Sequence, residues 1–343
     1  MAFEDLFGLH KQLVSINSTV GSEASIVDFL YKHLENLGWT VERQHVENGD
    51  EGTRENLFAY LGNRNPKLIL NSHLDTVPPF IGYSRNGNKI EGRGTCDAKG
   101  SVAVQIIAAE ELRKELSDFD VGLLYVVGEE RGGIGMLKAN ELGLEPKAII
   151  IGEPTENKLA LGHKGIVGFK INSQGKAAHS GYPELGQSAT EQLVEALWRL
   201  KNINFQEDSR LGQSTINIGI LEGGVAQNVI PEHASATIYI RVATDASYVW
   251  NTVKNTIGDI EGISLELTTK TEPVTLDVVD GFDVMVAKYN TDFSRWKGPG
   301  KKYLLGPGTI HVAHTSDEYV DAMDLKQSVK LYKQLVRHII SHC

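Results

Sequence analysis

Imidazoles and carboxylates recur at one kind of position in this sequence, immediately after a short apolar run. His73 and Asp75 follow "LIL", Glu129 and Glu130 follow "LYVVG", and Glu153 follows "AIIIG". Asp97 lies in the glycine-rich "GRGTCDAKG", and His314 lies in "AHTSDEY" near the C-terminus. Histidine nitrogen and carboxylate oxygen together are ligands for zinc and similar first-row ions. Two such ions held about 3.5–4 Å apart can run a hydrolysis, given a bridging carboxylate, further ligands for each ion and a base for the attacking water. His73, Asp97, Glu130, Glu153 and His314 supply donors of the right type, and Glu129 is left over as the base. Asp75, two residues after His73, fits the pattern in which a carboxylate orients a metal-bound imidazole. None of these spacings is a compact motif such as His-Glu-x-x-His. The signal is that every piece falls at the same kind of place.

Each piece alone has a plainer reading. A histidine after a strand can be structural, adjacent glutamates can form a solvated loop, and Asp97 can cap a helix beginning near Lys99. Cys96 reads as a small packed residue rather than a soft ligand. "GGIG" at 132–135 follows a strand as a phosphate loop would, but the motif is incomplete and acidic residues flank it. Later in the chain, His179 in "GKAAHSGYP" could bind the oxyanion formed when an amide carbonyl is attacked. Asn228 in "GGVAQNVIP" and Arg241 in "IYIRV" could hold a substrate carboxylate, the arginine through a bidentate pair. His163, in "GHKG", is read as structural.

The elements that must position these groups are short apolar runs alternating with helical patterns. A first helix spans Phe3 to Ile16, and a second carries Ile26, Phe29, Leu30, Leu34 and Leu37, with Ser22 able to cap it and Gly38 to end it. "TVERQHV", "PKLILNSHLD", "VGLLYVVGEE" and "KAIIIGEP" read as strands, while "SVAVQIIAAEELRKEL" and "GIGMLKANELG" read as helices. That alternation predicts an α/β unit with a mostly parallel sheet, whose ligands bind beyond the carboxyl ends of the strands. After about Lys164 the pattern becomes strand, helix, strand, strand, helix, strand, which is the ferredoxin-like order of a second α+β unit. The expected organisation is 1–164 and 275–343 as one unit, with 165–274 inserted, and an amphipathic helix from Leu325 to Ile340 at the end.

Composition excludes more than it assigns. With 34 basic against 44 acidic residues the net charge is −10, which argues against a nucleic-acid partner. No apolar run approaches the roughly 20 residues that span a bilayer, and the start lacks the basic-then-apolar pattern of a signal peptide. Only two cysteines, Cys96 and Cys343, are present, so a reducing compartment, the cytoplasm, is expected; the terminal "SHC" departs from a peroxisomal Ser-Lys-Leu.

Taken in order, "SHLDTVP", "GRGTCDAKG", "GEE", "IGEPT", "GKAAHSG", "NVIP" and "GPGTIHVAHTSDEY" resemble the motifs of the di-zinc amidohydrolases and peptidases, across nearly the whole chain. That family includes acetylornithine deacetylase, succinyl-diaminopimelate desuccinylase, aminoacylase and carboxypeptidase G-type enzymes. The resemblance implies two Zn²⁺, with Co²⁺ able to substitute: His73 and Glu153 on one, Glu130 and His314 on the other, and Asp97 bridging. It implies Glu129 as general base, Asp75 as the residue orienting His73, and a cis peptide at Asp97–Ala98. It further implies that 165–274 is a lid through which a homodimer forms, that His179 reaches the partner's site, and that Asn228 and Arg241 contact substrate. Glu153 with "GEPT" and "HKG" is most similar to acetylornithine and acetyl-lysine deacetylases, implying deacetylation of a small N-acyl amino acid in arginine biosynthesis. A dipeptidase or carboxypeptidase with the same metals is the alternative, and a metal-free binding protein is the remote one.

Overall fold

The computed structural model describes residues 2–49 and 52–342; Cys343 and the side chain of Phe3 fall outside that description. The chain divides into two compact units: Met1–Leu161 with Leu276–Met285 and Thr291–Cys343, and Gly162–Thr275 with Val286–Asn290. The sequence places 162–164, 275 and 286–290 in the first unit, and all of them fall in the second. There Lys164 N donates to Ala287 O at 3.1 Å and Thr271 Oγ1 donates to Asn290 Oδ1 at 3.2 Å.

The first unit is built on a six-stranded sheet. Its order is Thr40–Gly49, Gly52–Tyr60, Val121–Val126, Leu68–His73, Ala148–Ile151, Lys301–Leu304. The last four strands are mutually parallel, and the first two form an antiparallel hairpin against them. Leu68–His73 is buried along its whole length, as expected of a parallel strand covered on both faces. Each fully buried Leu or Ile there contributes about 1.5–3 kcal/mol. Two of its polar members donate internally, Asn71 Nδ2 to Leu124 O at 2.7 Å and Ser72 Oγ to Gly152 O at 2.9 Å, while Asn71 Oδ1 is left unpartnered. The helices Lys99–Glu115 and Ala322–Ser341 pack on each other. The second of them buries Leu325, Val329, Tyr332, Leu335, Val336 and Ile339 at helical spacing, and Asp321 caps it by accepting from Met323 N at 2.7 Å.

Ser22 does not cap the helix Ala24–Asn36. Glu23 stands at that position, and its carboxylate accepts from buried Arg54 rather than from the helix. Among the described residues no helix is long and apolar enough to cross a membrane.

The second unit is a four-stranded antiparallel sheet in the order Thr215–Gly223, His233–Val242, Gly165–Gln174, Ile263–Thr271. Numbered along the chain that is 2-3-1-4, the ferredoxin-like arrangement. Alternate residues of His233–Val242 are buried. They pack with Leu193, Leu197, Val249 and Val253 of the helices Ala189–Lys201 and Ala246–Ile257. Those two helices are capped by Ser188, accepting from Glu191 N, and Asp245, accepting from Tyr248 N.

Candidate metal centre

The parallel strands of the first unit deliver their carboxyl ends to one place. Leu68–His73 ends on His73 itself, Val121–Val126 leads to Glu129 and Glu130, and Ala148–Ile151 leads to Glu153. Asp97 immediately precedes the helix Lys99–Glu115, whose N-cap is Ala98, with a cis peptide between Asp97 and Ala98. No side chain caps that helix. Instead Asp97 faces two imidazoles: Oδ1 lies 3.0 Å from His73 Nε2 and Oδ2 lies 3.2 Å from His314 Nε2. Glu153 Oε1 is 3.9 Å from His73 Nε2, while Glu130 Oε2 is 3.0 Å from His314 Nε2. One carboxylate thus stands between two histidine–glutamate pairs. His73, Asp97 and Glu130 each offer a donor atom within 4.8 Å of the others.

His73 is oriented differently from the expectation. Its Nδ1 donates to the main-chain oxygen of Asp75 at 2.9 Å, and the Asp75 carboxylate is 3.7 Å away. A carbonyl only accepts, so Nδ1 carries a proton, and Nε2 is the nitrogen that faces Asp97. The Asp75 carboxylate is used elsewhere: Oδ1 accepts from Glu129 N at 3.1 Å and Oδ2 from Glu130 N at 3.0 Å. It fixes the turn that carries both glutamates. Gly128 makes that turn possible at φ +74°, where a Cβ would also come within 2.8 Å of Arg54 Nη2.

The electrostatics show a shortage of cations. Burial raises Glu153 and Glu129 well above the usual carboxylate range. Burial, then Asp97, raises Glu130 despite its bond to His314. Asp292, which the sequence did not single out, is buried, leaves Oδ1 unpartnered and is pushed up by burial to about 7. Only Asp97 goes down: hydrogen bonds from His314 and His73 outweigh its burial. His314 is lifted to about 10, chiefly by its bonds to Asp97 and then Glu130. Burial pulls His73 down, but Asp97 and Glu153 lift it well above its ordinary value. The neighbouring basic side chains are committed. Arg54 is bound to Glu23 and Glu47, Arg93 to Glu318, and Lys99 donates to Ile16 O while burial lowers it to about 7.

The candidates of the second unit do not all lie together. His179 sits in the two-residue strand Ala178–His179, paired with Val229–Ile230, and Ser180 N donates to Asn228 O at 3.0 Å. Both His179 and Asn228 are exposed. Arg241 is eight residues beyond His233 on the strand His233–Val242, so roughly 27 Å further along at ~3.4 Å per residue. Its guanidinium lies over the Tyr239 ring at 5.0 Å. His163 is buried, with Nδ1 donating to Lys164 O at 3.0 Å.

A family model described as peptidase family M20/M25/M40 matches residues 69–338. The chain belongs to this family. It is accordingly a metallohydrolase of amide bonds. This M20 chain is 43% identical to a peptidase M20 domain-containing protein of Schizosaccharomyces pombe, over 98% of its own length and 85% of the relative's. It is 38% identical to a probable carboxypeptidase of Aspergillus flavus, covering 95% of this chain and 86% of that one. In fold it is similar to the aminopeptidase PepT of Bacillus cereus, with a TM-score of 0.82 and 20% identity over 98% of this chain and 99% of that one.

The residues present fit the metals such a family implies. Several buried carboxylates share two imidazoles, while Arg54, Arg93 and Lys99 are engaged elsewhere, so divalent cations would resolve the imbalance. Nitrogen and carboxylate donors are the set that zinc and its neighbours take. His73 and Glu153 would serve one ion, Glu130 and His314 the other, and Asp97 both.

Proposed function

We propose that this M20 protein hydrolyses the amide of a small N-acyl amino acid, N-acetylornithine being the leading substrate, with two zinc ions held as above and cobalt able to replace them. The observation that supports it most is Asp97 set between two histidine–glutamate pairs, with the Glu129 carboxylate beside them taking no hydrogen bond among the described residues. The ions would lower the pKa of coordinated water and polarise the scissile carbonyl. Glu129 takes a proton from the attacking water and returns it to the leaving amine. Asp75 holds the Glu129 main chain while this happens.

His179 is proposed to serve the developing oxyanion, and Asn228 and Arg241 the substrate carboxylate. His179 Nδ1 accepts from Gly181 N at 3.0 Å, so the neutral ring carries its proton on Nε2 and can donate there. Arg241 lies near the end of the strand His233–Val242, whereas His179 and Asn228 lie at the short strand pair that precedes it, so we read the three as not all serving one small substrate from a single copy. A homodimer brings them to one substrate, with His179 and Asn228 of one copy acting on the substrate of the other. The exposed surface of this unit suits such pairing: the edge strand Thr215–Gly223 shows Ile220 and Leu221, and the helix Ala189–Lys201 shows Val194 and Trp198. The first unit is thus read as catalytic and the second as lid and dimerisation unit. The cytoplasm suits a chain with only two cysteines.

Mixing tests the shared site. Glu129→Gln and His179→Ala are each expected to be slow alone. Mixed in equal amounts and allowed to exchange, half the dimers are mixed and one of their two sites is intact, restoring about a quarter of wild-type turnover. No recovery, with exchange shown by mass-tagged subunits, removes the intersubunit role.

The relatives named as carboxypeptidases favour a second reading, release of a C-terminal residue from a short peptide. Assay of N-acetylornithine, N-acetyl-lysine, N-acetylmethionine and a dipeptide set decides between them. The proposed reading expects the highest kcat/KM on N-acetylornithine. A dipeptide turned over faster than every acetylated amino acid replaces it with the second.

A further inference from the structure

The loops that carry Asp97 and His314 meet at a buried ion pair that takes no part in the chemistry above. Arg93 and Glu318 are each 2% exposed, and Arg93 Nη1 donates to Glu318 Oε2 at 2.8 Å. The other oxygen, Glu318 Oε1, accepts from the main-chain N–H of Cys96 at 3.3 Å and of Asp97 at 3.4 Å. Arg93 Nη1 also donates to the carbonyl of Thr315, the residue after His314, at 3.0 Å, and its Nε donates to Pro79 O at 3.3 Å. So one guanidinium and one carboxylate touch the main chain at Asp97 and beside His314.

A buried ion pair is a weak device for stability, because desolvation offsets most of the attraction. What this pair does have is position. His314 stands at φ +65° in the exposed run 314–317, and Glu318 is the first buried residue after it. The imidazole itself is half exposed, yet it must meet Asp97 and Glu130 at about hydrogen-bond distance. His73 needs no such help. It ends a fully buried strand, and its Nδ1 is held by Asp75 O.

We infer that Arg93 and Glu318 form a positioning pair that sets the spacing between Asp97 and His314. The pair therefore governs the ion site shared by Asp97, Glu130 and His314 more than the one at His73 and Glu153. This rests on the two-metal reading of the preceding section.

The test compares Glu318→Asp and Glu318→Gln in the full chain. Zinc titration by calorimetry, the visible spectrum of the cobalt-loaded protein and thermal unfolding without metal are the readouts. Glu318→Asp keeps the charge opposite Arg93 but retreats from the N–H groups of Cys96 and Asp97. It should unfold close to wild type, yet bind one of its two zinc equivalents about 10–100-fold more weakly, the scale of losing an outer contact to a ligand, and the other, reached only through Asp97, less so. The spectrum of that one cobalt should change. Glu318→Gln keeps an acceptor in reach and leaves Arg93 without a counter-charge. It should unfold at lower temperature while holding both equivalents nearly as wild type does. Opposite ordering of the two variants in metal affinity and in unfolding is the signature that a merely structural role does not give. The inference is overturned if Glu318→Asp binds both equivalents like wild type, or if the variants lose metal in proportion to unfolding temperature. Should Glu318→Gln not fold, the selective loss in Glu318→Asp decides alone. Wild-type protein binding fewer than two equivalents overturns the two-metal reading instead, and the pair's role with it.

Discussion

Glu129→Gln is expected to lower kcat by about 10²–10⁴-fold, the usual worth of a positioned acid–base group, and to leave metal content unchanged. Glu129 and Glu130 stand on a turn held by the Asp75 carboxylate, and the two side chains meet different partners. The geometry supports one division of tasks between them. Glu130 has its carboxylate against His314 Nε2, at 3.1 and 3.0 Å, and is thereby placed among the ligands. The Glu129 carboxylate makes no such bond and is raised well above its ordinary range, first by burial and then by Glu153 and Asp292. A carboxylate that holds a proton readily is suited to store one between attack and departure of the amine. Glutamine has the same shape and cannot do so. The check is kcat together with metal analysis of the purified variant. Full turnover in Glu129→Gln excludes it as the base; lost metal makes it a ligand. Glu130→Gln is the contrast, since it should lose the ion before it loses anything else.

Some of this was legible in the sequence for a clear physical reason. A parallel strand covered on both faces must be apolar, so "LIL", "LLYVV" and "AIII" announce themselves, and the polar residue that follows each stands out in the sequence. The rule that ligands gather beyond those ends then collects His73, Glu130 and Glu153. The strand Gly52–Tyr60 was not visible. Its inward positions include Arg54 and Asn56, both buried, so the alternation that marks a strand is masked by polar groups. Arg54 is inside because Glu23 meets it, and Asn56 because Gln44 Oε1 and Gly135 O accept from it.

The supporting residues of the centre were illegible for a related reason. Arg93 and Glu318 are 225 positions apart, and nothing local marks either as the other's partner. Asp292 lies in an irregular stretch without periodicity, and only the fold shows it buried beside Glu129 and Glu153. The Asp75 carboxylate serves the glutamate turn while its carbonyl serves His73. Sequence spacing can place a carboxylate near a histidine. It cannot tell which of the two oxygen-bearing groups of that aspartate makes the bond.

Asp97→Asn is expected to cost both ions together and to reduce turnover below about a thousandth of wild type, because the side chain that faces both histidines loses its charge. The metal-free protein offers an independent view of the same contacts. His314 is raised from 6.5 to about 10 by Asp97 and Glu130. Its folded pKa lies above its unfolded one, so its contribution to stability is complete below pH 6.5 and is lost as pH rises towards 10. Asp97 is depressed from 3.8, so its contribution is present above that value and is lost as pH falls. The metal-free wild type should therefore unfold at progressively lower temperature between pH 6.5 and 10, and Asp97→Asn should flatten that slope, with Glu130 retaining part of it. Metal ligation needs neutral imidazole, so the same protons must leave when ions bind, and apparent zinc affinity of the wild type should climb across the same interval. Scanning calorimetry on chelator-treated protein and zinc titrations at several pH values measure the two sides of this exchange. An Asp97→Asn protein that keeps two ions would show that the histidines are bridged by some other group, and an unchanged pH slope would show that His314 does not meet Asp97 in solution.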